Sequence, residues 1–223
     1  DAFFYEYSSH YNSSWLKLFK WIGVNAAKKA PIIITITEYT RNRISHFTGI
    51  HKDKIKAIHL APKKMAVAEP EPNYVPSFSI PTSKFILHVG TLEKRKNLVH
   101  LIEAFKLIHL AGHTNYTLVL VGQPSPKHDM DDSEAIHETI NRLGLKDHVI
   151  TPGYASDNDL AYFYKYAEMY VFPSINEGFG LPVLEAFHHQ IPVIVSDNTC
   201  LPEVGGDATL CFDPFNVEDI SLK

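Results

Sequence analysis

Cysteine is scarce in this 223-residue chain: Cys200 and Cys211 are the only two, too few for a disulfide framework at such a length. A disulfide-stapled miniprotein is excluded, and a reducing compartment, the cytoplasm, is the expectation. A basic excess is lacking too, since 21 Lys plus Arg stand against 25 Asp plus Glu for a formal charge of -4. That balance gives no bulk attraction to nucleic acid or to anionic lipid. No stretch approaches the roughly 20 apolar residues of a membrane-spanning helix. The opening DAFFYEYSSH has neither the basic start nor the apolar run of a secretory signal. An initiator Met is also missing, and a helix opens around residues 219–223, so a piece of a longer protein is expected. What the chain does have is 45% hydrophobic residues, enough for a sizeable core.

The most irregular segment is 61–83, where prolines at 62, 70, 72, 76 and 81 each remove a backbone donor and disfavour helix before them. It reads as an interdomain linker. Residues 1–60 show helical patterns at 15–30 and 38–47 and apolar strands at 31–37 and 54–60, which make part of a layered domain rather than a whole one. In 84–223, apolar runs at 85–90, 116–122, 148–153, 169–174, 192–197 and 208–213 alternate with helical patterns at 97–110, 133–143, 157–167 and 181–189. Short strands separated by helices imply right-handed crossovers, so a doubly wound α/β domain on a parallel sheet is expected.

In such a sheet, ligands bind beyond the carboxyl ends of the strands. Two loops there stand out. The first is VGTLEKRKN, residues 89–97, where Gly90 ends a strand and Lys94, Arg95 and Lys96 precede a helix. Helix-start amides and fixed cations suit a diphosphate; a solvated basic turn is the alternative. The second is SINEGFGLPVLEAF, residues 174–187. Gly178 and Gly180 permit positive φ or close approach, and Pro182 fits the first turn of a helix. In one continuous helix Glu177 and Glu185 would stand about 12 Å apart along the axis. The glycine-proline break lets both face one crevice while staying separated, as two grips on an elongated ligand bearing hydroxyls. The alternative is a helix cap with two solvated acids.

The spacing E-x7-E within EGFGLPVLE, the run GTLEKRKNLVHLIEAF and the later LPEVGGDATLCFDP resemble the retaining glycosyltransferases of family four, also called group 1. Their GT-B fold sets two Rossmann-like domains face to face. The resemblance assigns 84–223 to most of the C-terminal, nucleotide-sugar-binding domain and 1–60 to the last part of the acceptor-binding N-terminal domain. GTLEKRKNL and the LAP at 60–62 are most similar to mannosyltransferases of surface polysaccharide synthesis. The donor implied is a nucleotide-diphosphate sugar, GDP-mannose favoured over a UDP-sugar, and the acceptor a glycan or lipid-linked glycan. Glu177 is implied to hold hydroxyls of the transferred sugar and Glu185 the ribose. The backbone of Gly178, Phe179, Gly180 and Leu181 is implied to meet the diphosphate, next to Gly90 and Thr91. Lys96 is implied to neutralise the leaving diphosphate, and the base is expected near residues 152–154. Many relatives carry arginine where Thr91 stands, which leaves Arg95 as the second cation to test. Relatives also place a histidine near the reacting sugar in the N-terminal domain; it would lie just before Asp1, and the piece alone would then be inactive.

Other features weigh less. Asp129-Met-Asp131-Asp132 contains a D-x-D, but in a polar loop rather than after an apolar strand, so no essential metal is expected. The 13 histidines invite a metal, but His188-His189 is an adjacent pair near a helix end rather than an i, i+4 pair on one face, and scattered satisfied or surface imidazoles are expected. Residues 12–30 are basic, with tryptophans between the lysines, and fit either peripheral membrane contact or a helix packed on the N-terminal sheet. An α-glucan synthase-like enzyme and a non-catalytic nucleotide-binding module are the competing functional readings.

Overall fold

The computed structural model describes residues 13–61, 74–78, 81 and 84–223, without the side chains of 13–16 and 19. Most of the expected linker therefore lies outside the described residues. The described residues form two parallel sheets.

The smaller unit begins with α1 (Ser13–Lys29) and β1 (Ile33–Thr35), continues through α2 (Glu38–Thr48) and ends with β2 (Ile55–Ala57). β1 and β2 pair in parallel with Ile33 opposite Ile55, so β1-α2-β2 is one crossover unit. Thr37 caps α2 by accepting from the Thr40 N–H, and Gly49 closes it in the left-handed region at φ 68°. The expected strands 31–37 and 54–60 shrink to three residues each, because only that many find a partner. Trp21, Leu18 and Ile22 on α1 are all more than half exposed.

The larger unit runs β3 (Lys84–Val89), α3 (Leu98–Leu110), β4 (Tyr116–Val121), α4 (Ser133–Arg142), β5 (Val149–Gly153) and α5 (Asp157–Tyr166). It continues with β6 (Met169–Phe172), α6 (Leu181–His188), β7 (Val193–Ser196), α7 (Leu201–Gly205), β8 (Thr209–Phe212) and α8 (Val217–Leu222). The strand order is β5-β4-β3-β6-β7-β8, all parallel, so strand order reverses between β3 and β6. Near-continuous burial of β4 and β7 explains their Val- and Leu-rich runs. Alternate strand residues feed two cores. Phe85, Leu87, Tyr170 and Phe172 pack with α5, α6 and α7, whereas Ile86, Leu118, Val171 and Ile194 pack with α3, α4 and α8. The helix α7 was not foreseen: its five residues are too short to show a period.

Two contacts position the site. Residues 74–78 lie along α5, where the Asp159 carboxylate accepts from the Tyr74 hydroxyl at 2.7 Å and from the Ser77 N–H at 3.0 Å. Phe78 stacks on Phe163 at 5.8 Å. The smaller unit meets the larger through α2, whose first amides, from Glu38 and Tyr39, donate to the Glu203 carboxylate at 2.7 and 2.9 Å. Glu203 also holds His59 at 2.6 Å.

Candidate functional site

The reversal point brings the two singled-out loops together. After β3, Lys94, Arg95 and Lys96 form one 3-10 turn, closed by Asn97 in the left-handed region at φ 58°, and α3 follows. After β6, the chain runs through Ser174 to Glu177 and enters α6 over Gly180, whose φ is 101°. A side chain at Gly180 would be strained there and would stand 2.9 Å from Leu201. One backbone bond ties the loops: the Ile175 N–H donates to the Arg95 carbonyl at 2.9 Å.

Glu177 lies between two cations. Its Oε1 accepts from Lys96 Nζ at 2.6 Å and from Arg95 Nη1 at 2.7 Å. Arg95 is held from its other edge by Glu93 Oε2 at 2.7 Å. Lys96 is buried, with its ammonium 4.6 Å from the centre of the Phe172 ring, a cation-π contact. Burial lowers its pKa from the ordinary 10.5; Glu177 opposes the shift and Arg95 adds to it. Lys94 turns away and donates to the Asp129 carbonyl.

Glu185, one helical stretch on, accepts from the Tyr164 hydroxyl at 2.9 Å. Burial raises its pKa, and the Tyr164 bond only partly offsets that. The fully buried Tyr170 feels both carboxylates; burial first, then Glu185 and Glu177, keep its hydroxyl protonated. Neither acid is a freely solvated cap: Glu177 is held by Lys96 and Arg95, and Glu185 by Tyr164. Phe179 is buried edge-on to His59 at 6.0 Å, while Leu181 at the start of α6 is partly exposed. The Gly178 carbonyl accepts from the Thr37 hydroxyl at 3.2 Å, so the smaller unit touches this loop directly. Thr91 is half-buried, and Tyr154 is exposed just past the end of β5. The D-x-D loop is a turn: Asp131 accepts from the Ser125 N–H and the Ser133 hydroxyl.

Sequence reasoning missed three supports. Gly122 must be glycine, because a Cβ there would stand 1.8 Å from the Gly90 carbonyl oxygen. Tyr164 was hidden inside a helix pattern. His88 was passed over among the histidines; it is fully buried, and its Nε2 has no hydrogen-bond partner among the described residues. A polar residue within the apolar run FILHV was the available signal.

Residues 72–223 match the family described as Glycosyl transferases group 1. The chain belongs to that family, and its fold is of the GT-B type. It is 32% identical over 195 residues to O-antigen chain mannosyltransferase B of Escherichia coli, a match over 86% of this chain and 50% of that protein. Among solved structures it is similar to sucrose-phosphate synthase from Thermosynechococcus elongatus, with a TM-score of 0.74 and 21% identity over 91% of this chain and 50% of that one. It is also similar to Anabaena Alr3699/HepE in complex with UDP and glucose, with a TM-score of 0.72 and 19% identity over 96% of this chain and 57% of that one. The chain thus spans about half the length of the relatives it matches.

Proposed function

We propose that the chain is the donor-holding part of a retaining glycosyltransferase that moves mannose from GDP-mannose to a glycan or lipid-linked acceptor. The observation that carries this reading is the convergence of Lys96 and Arg95 on Glu177 at the point where strand order reverses. A nucleotide-diphosphate sugar needs both partners: cations for the phosphates and a carboxylate for sugar hydroxyls. Negative charge grows on the diphosphate as the glycosidic bond breaks, and Lys96, preset in a dry pocket, stabilises it without solvent reorganisation. Arg95 takes the place of the arginine that Thr91 does not supply. Glu177 binds the donor and is not a nucleophile; the leaving phosphate assists removal of the acceptor proton on the same face. Glu185 meets the ribose, the amides of Gly178, Phe179, Gly180 and Leu181 meet the phosphates, and these cations take the role a metal has elsewhere.

Mannose is supported by the name of the Escherichia coli relative, and a nucleotide-diphosphate donor by the UDP bound to the Anabaena protein. In this reading residues 1–60 end the acceptor domain, 61–83 link, 84–223 hold the donor, and the enzyme works in the cytoplasm. The exposed Trp21 and Leu18 beside Lys17 and Lys20 would lie against the inner face of the membrane during transfer to a lipid-linked acceptor. The test is transfer by the full-length protein from GDP-mannose, UDP-glucose and UDP-galactose. Turnover with GDP-mannose is expected, and a strong preference for a UDP-sugar overturns the donor assignment.

A further inference from the structure

His88 occupies the last-but-one position of β3, beneath the loop that carries Lys96. Its ring is wholly buried and lies near-parallel to Tyr170 at 6.3 Å, with Phe172 at 5.8 Å on another side. Nδ1 is 3.0 Å from the Val171 carbonyl oxygen. A carbonyl only accepts, so Nδ1 carries the proton and Nε2 is left with a bare lone pair. That lone pair has no partner among the described residues. A buried acceptor without a donor is costly, so its surroundings need explaining.

The surroundings are specific. The position a Cβ would take on Gly90 is 3.2 Å from His88 Nε2 and 3.4 Å from Lys96 Nζ. The imidazole acceptor and the ammonium therefore flank the same face of the Gly90 backbone, where any side chain would crowd both. A phosphate oxygen would face the lone pair with a second lone pair. Only a donor suits it, and the Lys96 ammonium is the donor at hand.

We propose that His88 is a positioning residue for Lys96, its buried Nε2 lone pair standing beside the ammonium to take a hydrogen bond from it as Glu177 leaves. When Glu177 turns to the sugar, this bond keeps the lysine charged and aimed at the phosphates. The imidazole suits the task because it stays neutral: burial, then Lys96, hold its pKa down to about 3 against the pull of the Val171 bond. The titratable groups facing Lys96 are Glu177 from the loop after β6, Arg95 and Glu93 from its own turn, and His88 from β3. Removing the histidine acceptor lowers the lysine pKa further, which is a signature that loss of packing alone does not give.

The role rests on the donor-site reading, and the test separates the two. In full-length protein, GDP and GDP-mannose binding are measured by calorimetry, and kcat/KM is followed against pH for wild type, His88→Phe and His88→Gln. Phenylalanine keeps the ring but not the lone pair; glutamine restores an acceptor near the Nε2 position. The alkaline limb of His88→Phe is expected at lower pH by roughly one unit, a tenfold loss on that side, and His88→Gln is expected to recover most of it. Coincident limbs in a protein that binds GDP overturn the role of His88 alone, whereas failure of wild type to bind GDP or GDP-mannose removes the donor site and this role together. If His88→Phe does not fold, the ¹⁵N resonance of His88 Nε2 decides in folded protein. It should move away from the value of an unbonded nitrogen when GDP-mannose binds, and an unmoved signal in donor-bound protein overturns the proposal.

Discussion

At the residue scale, one carboxylate oxygen of Glu177 is shared by a lysine and an arginine, the contact on which the proposed function rests. Lys96 is inside and Arg95 nearer solvent, with side-chain exposures of 7% and 25%, so the lysine carries the stronger electrostatic effect. Lys96→Ala in the full-length enzyme is expected to reduce kcat by about 10²–10³, the scale seen when one preset donor to a developing anion is removed. Rates with saturating donor measure it; turnover within a few fold of wild type contradicts the role. Its lowered pKa has a second consequence. The ammonium must be charged to act, so kcat/KM should fall on the alkaline side at a pH below the ordinary lysine value of 10.5, and a profile flat up to that value argues against Lys96 as the essential cation. The motif residues Glu177 and Lys96 were legible in the sequence because glycine, proline and charge sit at strand ends. Their contact was not, since 81 positions of chain separate them and only the strand order brings them together.

At the element scale, α5 shows how a cap holds more than a helix. Ser156 and Asp159 form a capping box, and the same Asp159 carboxylate receives Tyr74 and Ser77 from the segment ahead of β3. Burial pushes its pKa up, but the bonds from Ser156, Tyr74 and Ser77 outweigh that and hold it at about 2 against the ordinary 3.8. A depressed carboxyl contributes stability above the ordinary value and loses it as pH falls through the folded one. Urea melts should show about 2 kcal/mol lost between those limits, a step that Asp159→Asn lacks. The helices α1 to α6 and all eight described strands stand where periodicity puts them, within a few residues at each end. What escaped was short or context-bound: the 3-10 turn at Lys94–Lys96 looks from sequence like the approach to a helix, and the five residues of α7 are fixed by packing of Leu201 under α6.

At the scale of the whole molecule, contact between the two sheets runs through a few polar groups beside the site. Glu203, at the start of α7, caps the first turn of α2, where the positive end of the helix dipole favours a carboxylate. Burial raises its pKa, yet the amides of Tyr39 and Glu38 together with His59 bring it below the ordinary glutamate range, so this link holds at neutral pH and loosens only in acid. Glu203→Gln should speed hydrogen exchange of the Glu38 and Tyr39 amides by several fold while the exchange of β4 stays as it was; equal protection in both proteins contradicts the latch. In the proposed function, the seating of Glu177 between its cations bears on turnover. An arriving diphosphate would exchange for a carboxylate already in place, so the balance of charge in the pocket would change little, and the displaced acid would find its compensation in the hydroxyls of the sugar. Once the sugar had gone to the acceptor that compensation would be lost, and the acid would compete with the spent nucleotide for the same cations. On that reading the side chain that grips the incoming donor would also be the one that helps expel what remains of it.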